Sequence, residues 1–260
     1  MRTIQQAVSE IKTLLEQAIT VNGEAGKLSV IRSQKPIKLI HDAVQSELVA
    51  NQAALTSIKA ELTLYGLLKK KSQDIVVFPS NLSRQTEVIS DGFLKGETDI
   101  YGRAFTERTL SINIRSQLSS LNKNFDTLYE RTFAESLNFH LRCPNMCLGE
   151  VYMIPVYEYD VADAQRHIVS FSKSIGRIEK YLLAFNAING RIAVNSDHHK
   201  YEQVCLLVVD FRQTPPKIYS SDVDLRTDGL LSQSSAASIT NLTFQNFVPS
   251  LLQTYGSRFP

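Results

Sequence analysis

Apolar residues at Ile4, Val8, Ile11, Leu14, Leu15 and Ile19 recur at helical spacing, which predicts an opening helix that stops at Asn22-Gly23. After Pro36, the positions Ile37, Ile40, Val44 and Leu48 predict a second helix, carrying His41, Asp42 and Glu47. A third helix is expected from about Ala53 to Leu64, ending near Gly66. The texture then changes to β-branched and aromatic residues at 74–79, followed by turn-rich sequence to about Glu97. Next comes a hairpin-like segment in which 98–101 and 108–115 flank Gly102-Arg103. Leu110, Ile112 and Ile114 alternate with Ser111, Asn113 and Arg115, so one face of this strand enters the core and the other gathers three polar groups.

From Asn124 to Leu141 the stripe of Phe125, Leu128, Phe133, Leu137 and Leu141 predicts an amphipathic helix with Glu130 and Glu135 towards its margins. A strand at 148–157 and a helix from about 162 to 185 follow. A buried strand is then expected at 205–211, with 215–219 as its hairpin partner, and a C-terminal helix at 241–255 broken near Pro249. This order predicts an α/β protein: a core with a mixed central β-sheet flanked by helices (67–260), and a helical N-terminal subdomain (1–66).

Composition narrows the class. At 43% hydrophobic content, 260 residues are enough for one substantial core. A net charge of +2 neither demands nor excludes a nucleic-acid partner, because a DNA cleft needs only a local basic lining. No apolar run reaches the roughly 18–20 residues of a membrane span, and no signal peptide is evident. Three cysteines form a sparse, odd set, as expected of a reduced cytoplasmic protein without membrane association. Phosphate-loop, dinucleotide-binding and nucleophile-elbow motifs are absent, which counts against nucleotide hydrolases, dehydrogenases and esterases. His140, Cys143 and Cys147 have spacing for zinc but no nearby fourth ligand, and ordinary thiol packing is expected there. His198-His199 reads as a solvated loop.

The informative region is Gly96-Glu97-Thr98-Asp99-Ile100-Tyr101-Gly102, then Asn113-Ile114-Arg115-Ser116-Gln117, Asn124-Phe125 and Arg131-Thr132-Phe133-Ala134-Glu135, with Leu148 to Pro155 as the strand after it. Here the sequence resembles the catalytic stretch of PD-(D/E)xK nucleases, most closely the Xho-type type II restriction endonucleases. The resemblance covers roughly residues 96 to 157, under a quarter of the chain. It implies a restriction-endonuclease-like core, Mg2+ as cofactor, sequence-specific hydrolysis of double-stranded DNA, and a homodimer matched to a palindromic site. It also implies that Asp99 begins the catalytic hairpin and that Asn113 and Arg115 occupy the positions of the family's Glu and Lys.

The chemistry explains the pattern. Phosphodiester hydrolysis needs positive charge at the phosphoryl group and an activated water, and magnesium with hard oxygen ligands provides both. Acids on neighbouring strands can share such an ion, and a cation two positions along the strand lies on the same face. Asn113 offers an oxygen but no charge, and Arg115 keeps a cation that will not deprotonate. Two readings follow. Either Glu130 or Glu135 on the following helix supplies the missing acid and the site is active, or the chain binds DNA or assembles with it without cutting.

Further candidates are Asp74 as an alternative first metal-binding acid and Glu47 as a helical acid near the metal. Lys69, Lys70 and Lys71, at the start of a strand, are candidates for DNA phosphate contact, with Arg103, Arg108, Gln117 and Lys123 near the same cleft.

Overall fold

A computed structural model describes residues 1–51 and 56–259. The chain opens with α1 (Ile4–Arg32), started by a capping box in which Thr3 and Gln6 satisfy each other's backbone N–H groups. The stop expected at Asn22-Gly23 is a kink instead. Gly23 takes φ 60° and ψ −148°, and helix resumes beyond it. Its positive φ is open to glycine without strain. Next comes α2 (Lys35–Asn51).

The helix expected over 53–64 is not formed. Residues 52–55 lie outside the described part, and β1 (Thr56–Tyr65) occupies the rest. Leu62 and Leu64 are buried while Glu61 and Thr63 are exposed, a period of two imposed by antiparallel pairing with β2 (Lys70–Pro79). A boundary at residue 66 therefore falls in the turn of this hairpin.

Two short strands, β3 (Glu87–Val88) and β4 (Thr98–Asp99), pair with each other, and α3 (Arg103–Glu107) follows. Then come β5 (Leu110–Ser116), α4 (Leu121–His140) and β6 (Cys147–Pro155). The long helix expected over 162–185 is instead β7 (Tyr157–Tyr159), α5 (Val161–Gln165), β8 (Phe171–Ile175) and α6 (Ile178–Ala187). Asp160 caps α5, and His167 with φ +63° turns the chain so that β8 returns along β7. The chain ends with β9 (Gln203–Asp210), β10 (Lys217–Ile218), α7 (Asp222–Thr227) and α8 (Phe244–Arg258), with the expected β9–β10 hairpin present.

The central sheet has the order β1-β2-β5-β6-β9-β10. Pairing is antiparallel from β1 to β5, parallel from β5 through β6 to β9, and antiparallel again to β10. Alternate strand residues feed two cores. Ile75, Ile112, Val151 and Cys205 pack with α1, α2 and α8, whereas Val76, Leu148, Tyr152 and Leu206 pack with α4 and α6. The molecule is thus an α/β protein with a mixed sheet covered on both faces. The two N-terminal helices contribute Val8, Ile11, Ile40 and Val44 to the first of these cores rather than standing apart.

Candidate active site

The site forms where β2 parts from β5 while staying paired with β1. Pairing of β2 with β5 runs from Val77↔Leu110 to Ile75↔Ile112 and stops there. On the other side, the β1–β2 register passes from Ala60↔Ile75 to Leu62↔Gln73, and Glu61 between them takes φ +54°. A left-handed non-glycine residue inside a strand is sustained only by its surroundings, and such residues cluster at functional sites. Beyond the break the Asp74 carboxylate, not a strand carbonyl, accepts the Ile114 N–H at 2.7 Å. The ring of His41 on α2 meets the Asp74 carbonyl oxygen at 3.2 Å. Burial raises the Asp74 pKa, against the pull of the Ile114 N–H and of His41.

Ser111, Asn113 and Arg115 share one face of β5, as the alternation predicts, but that face is covered by α4. Glu135 on α4 is 1% exposed and is the hub of the cluster. It accepts Asn113 Nδ2 at 2.8 Å and Gln73 Nε2 at 3.3 Å, and it pairs with both Arg115 and Lys71. Asn113 also donates to Gln73 Oε1 at 2.9 Å, and Arg115 also donates to Thr132 Oγ1. Glu150 on β6 lies beside Asn113 in the parallel register and is fully buried. Arg115 Nη1 comes within 3.1 Å of Glu150 Oε1, yet off the line of a hydrogen bond, and neither Glu150 oxygen has a hydrogen-bond partner. Burial raises the Glu150 pKa despite Arg115 and Lys71; burial and then Arg115 lower that of Lys71.

Two carboxylates, those of Glu135 and Glu150, therefore meet the cations of Arg115 and Lys71 where β2 parts from β5, with Asp74 close enough to feel both cations. The oxygens of these acids, with the Asn113 amide oxygen, are the hard donors that magnesium takes. Among the described residues no three His, Cys, Asp or Glu side chains stand together so as to share one ion. Arg115 lies across Glu135 and Glu150, and Lys71 occupies another side of Glu135.

Comparison with protein-family models, curated proteins and solved structures finds no match.

Of the residues proposed from sequence, the fold gathers Lys71, Asp74, Asn113, Arg115 and Glu135. Asp99 is not with them. It lies on β4, which pairs with β3 and not with β5, so the expected hairpin does not exist. Its carboxylate is fully buried, with Oδ1 taken by the Tyr101 N–H and Oδ2 by Arg142 at 2.7 Å. Arg142 also grips Glu87 and the Tyr65 carbonyl, so Asp99 ties the small β3–β4 sheet to the main one.

Glu130 is exposed on α4, because helical spacing puts Thr132, Glu135 and Ser136 on the buried side and leaves Glu130 outside it. Glu47 is half-buried on α2, where it contacts Asn51. Gln117 is buried and bound to the hydroxyls of Tyr152 and Tyr181, which removes it from DNA contact. Lys69, Arg103, Arg108 and Lys123 are exposed, and Lys70 pairs with Glu97. Cys143 and Cys147 are buried free thiols, and His140 meets main-chain carbonyl groups of Met146 and His198. In the loop, the His199 carbonyl accepts Ser136 Oγ and its ring packs on Phe133.

Gln73 and Glu150 were not read from the sequence. Glu150 sits in a run that reads as an ordinary buried strand, and its one signal is a carboxylate flanked by Gly149 and Val151 in that run. Among the described residues no helix is long and apolar enough to cross a membrane.

Proposed function

We propose that the chain is a magnesium-dependent endonuclease acting on double-stranded DNA, with a restriction-endonuclease-like core. The observation that carries this reading is the contact of Glu135 with Asn113 and Arg115. An acid from α4 stands beside the strand position where the resembling family has its Glu, and Asp74 at the break in β2 takes the part first assigned to Asp99. Asp74 and Glu135 would hold the magnesium ion, which supplies positive charge at the phosphate and activates water for attack. Asn113 and Gln73 fix the Glu135 carboxylate in place. Arg115 and Lys71 are the cations placed to take the scissile phosphate, with Arg115 offering the two-pronged contact that phosphate oxygens accept. Lys69, Arg103 and Lys123 would add backbone contacts that position the duplex without reading it. Cleaving both strands of a palindromic site calls for two copies of the site, so the reading carries a homodimer on DNA.

The test is incubation of the full chain with phage-length duplex, with magnesium and with excess chelator. Discrete fragments that need magnesium, and that vanish with Asp74→Asn and Glu135→Gln, are expected. No cutting with magnesium or manganese on several unmodified DNAs would overturn the proposal. The engagement of Glu135 by both Lys71 and Arg115 favours a second reading, a DNA-binding or assembly protein in which internal cations have replaced the metal. That protein would hold DNA with a steep salt dependence and leave it intact.

A further inference from the structure

We propose that the small β3–β4 ribbon enters the major groove of duplex DNA, with Val88, Phe93 and Ile100 against the base edges and Arg84 and Lys95 on the flanking phosphates. The inference rests on the duplex-DNA reading above and adds to it the surface that reads the sequence.

The two faces of the ribbon differ. Its register sets Glu87 opposite Asp99 and Val88 opposite Thr98, and directly opposed residues share a face. The acids form the inner face, where Arg142 takes both of them and the Tyr65 carbonyl. The ladder continues beyond the two strands, from the Gln85 N–H to the Tyr101 carbonyl at 3.2 Å and from the Ile89 N–H to the Glu97 carbonyl at 2.9 Å. At the tip, Ile89 and Leu94 are buried and the Phe93 N–H donates to the Leu67 carbonyl in the β1–β2 turn. A Cβ at Gly92 would sit 2.5 Å from that same carbonyl oxygen, so the tip lies directly on the turn. Outside are Thr98, Phe93 at 85% exposure, Val88 at 66% and Ile100 at 57%. Apolar side chains held out to solvent by a ribbon anchored on its other face mark a surface for a partner.

Charge selects the partner. Arg142 neutralises Glu87 and Asp99, and Lys70 pairs with Glu97, which leaves Asp91 as the remaining acid of the ribbon. Against it stand the exposed Arg84 and Arg103 at the base and Lys95 at the tip, with Lys69 in the adjoining turn. The Arg84 guanidinium is carried above the Tyr101 ring, 4.9 Å from its centre. Four cations around an apolar strip suit a polyanion whose phosphate rows border apolar and polar base edges. The major groove, about 12 Å wide, admits a two-stranded ribbon and presents thymine methyl groups to side chains such as these. The Lys70–Glu97 pair also ties the ribbon to the residue that precedes Lys71 of the cluster.

The chain contains no tryptophan, so Phe93→Trp places a single reporter on the ribbon. Titration of the full-length variant with a short mixed-sequence duplex at low salt should change the emission of that tryptophan. Arg84→Ala combined with Lys95→Ala should reduce the slope of log affinity against log salt by about two, with an unchanged urea midpoint. A silent tryptophan or an unchanged slope in a chain that binds duplex overturns the inference and leaves the DNA reading standing. A wild-type chain that binds no duplex at low salt overturns both. Emission that responds to phosphatidylglycerol vesicles and not to duplex overturns the inference and assigns the surface to a membrane.

Discussion

Asp74 accepts the Ile114 backbone N–H through its side chain, at the point where β2 and β5 stop pairing. One carboxylate thereby closes a sheet that the backbone leaves open, and the same group lies within the electrostatic reach of Arg115 and Lys71. The two duties are separable by substitution. Asp74→Ala orphans the Ile114 N–H and should cost about 1–3 kcal/mol in urea unfolding. Asp74→Asn keeps an acceptor oxygen and should remain within about 1 kcal/mol of wild type, yet lose magnesium-dependent cleavage. Equal stability loss in both variants would show that the charge, not the acceptor, holds the strand.

Asp99 should behave in the opposite way. Its partner Arg142 is 6% exposed, and without Asp99 it keeps Glu87 and the Tyr65 carbonyl while the Tyr101 N–H loses its acceptor. Asp99→Ala should therefore lower stability by about 1–3 kcal/mol. Cleavage per folded molecule should persist at a temperature where the variant is native. A folded Asp99 variant without activity would return this residue to the site.

The contrast between these two aspartates shows what the sequence could convey. Both precede β5, both stand near lysine, arginine or glycine, and a hairpin from Asp99 was the shorter connection. The true partner of β5 is β2, reached across the intervening β3, β4 and α3, and no local pattern encodes a pairing of that range. Where the signal is local, it was legible. The alternation of Ile112 and Ile114 with Asn113 and Arg115 and the apolar run of β9 appear as expected. The helix α4 also forms, but of its expected stripe only Phe125 is buried while Phe133 and Leu141 are exposed, because the helix turns Thr132, Glu135 and Ser136 inward. The strand β1 was hidden because its register with β2, not its own composition, decides its conformation. Of the cluster, Asn113, Arg115 and Glu135 were legible from motif order. Glu150 was not, because what sets it apart is the lack of a partner in three dimensions.

The turn between β1 and β2 carries Lys69 and leads into Lys70 and Lys71 at the start of β2, and the Asn138 side chain pins it. Asn138 on α4 accepts the N–H groups of Leu68 and Lys69 at 2.7 and 3.0 Å and donates to the Lys69 carbonyl at 3.0 Å. The approach is close enough that a Cβ at Gly66 would sit 2.2 Å from Asn138 Nδ2. Asn138→Ala should cost about 1–3 kcal/mol from the unpaired backbone groups alone. It should also speed hydrogen exchange at Leu68 and Lys69 and weaken DNA binding through loss of lysine placement. Unchanged exchange at those amides would show that the turn holds itself.

Acid stability should depend on Glu202, which accepts the Leu148 N–H at the start of β6. Burial pushes its carboxyl up, but His140, Arg258 and the Leu148 N–H outweigh burial and hold its pKa down at about 2. Arg191 and Arg258 stand at 2.9 and 2.7 Å from Oε1, so this one acid fastens the last turn of α8 and the 189–202 segment to the start of β6. A folded pKa below the unfolded value means that the unfolded chain binds the extra proton between about pH 4.5 and 2. The stabilisation is therefore fully present above that window and declines within it by up to about 1.4 kcal/mol per pH unit. Glu202→Gln leaves two arginines facing a neutral group and should cost about 3–5 kcal/mol at neutral pH. In urea unfolding from pH 7 to pH 3, the gap between wild type and variant should stay constant down to about pH 5 and then narrow. Parallel curves through the whole range would mean that Glu202 is not the group whose protonation weakens the fold.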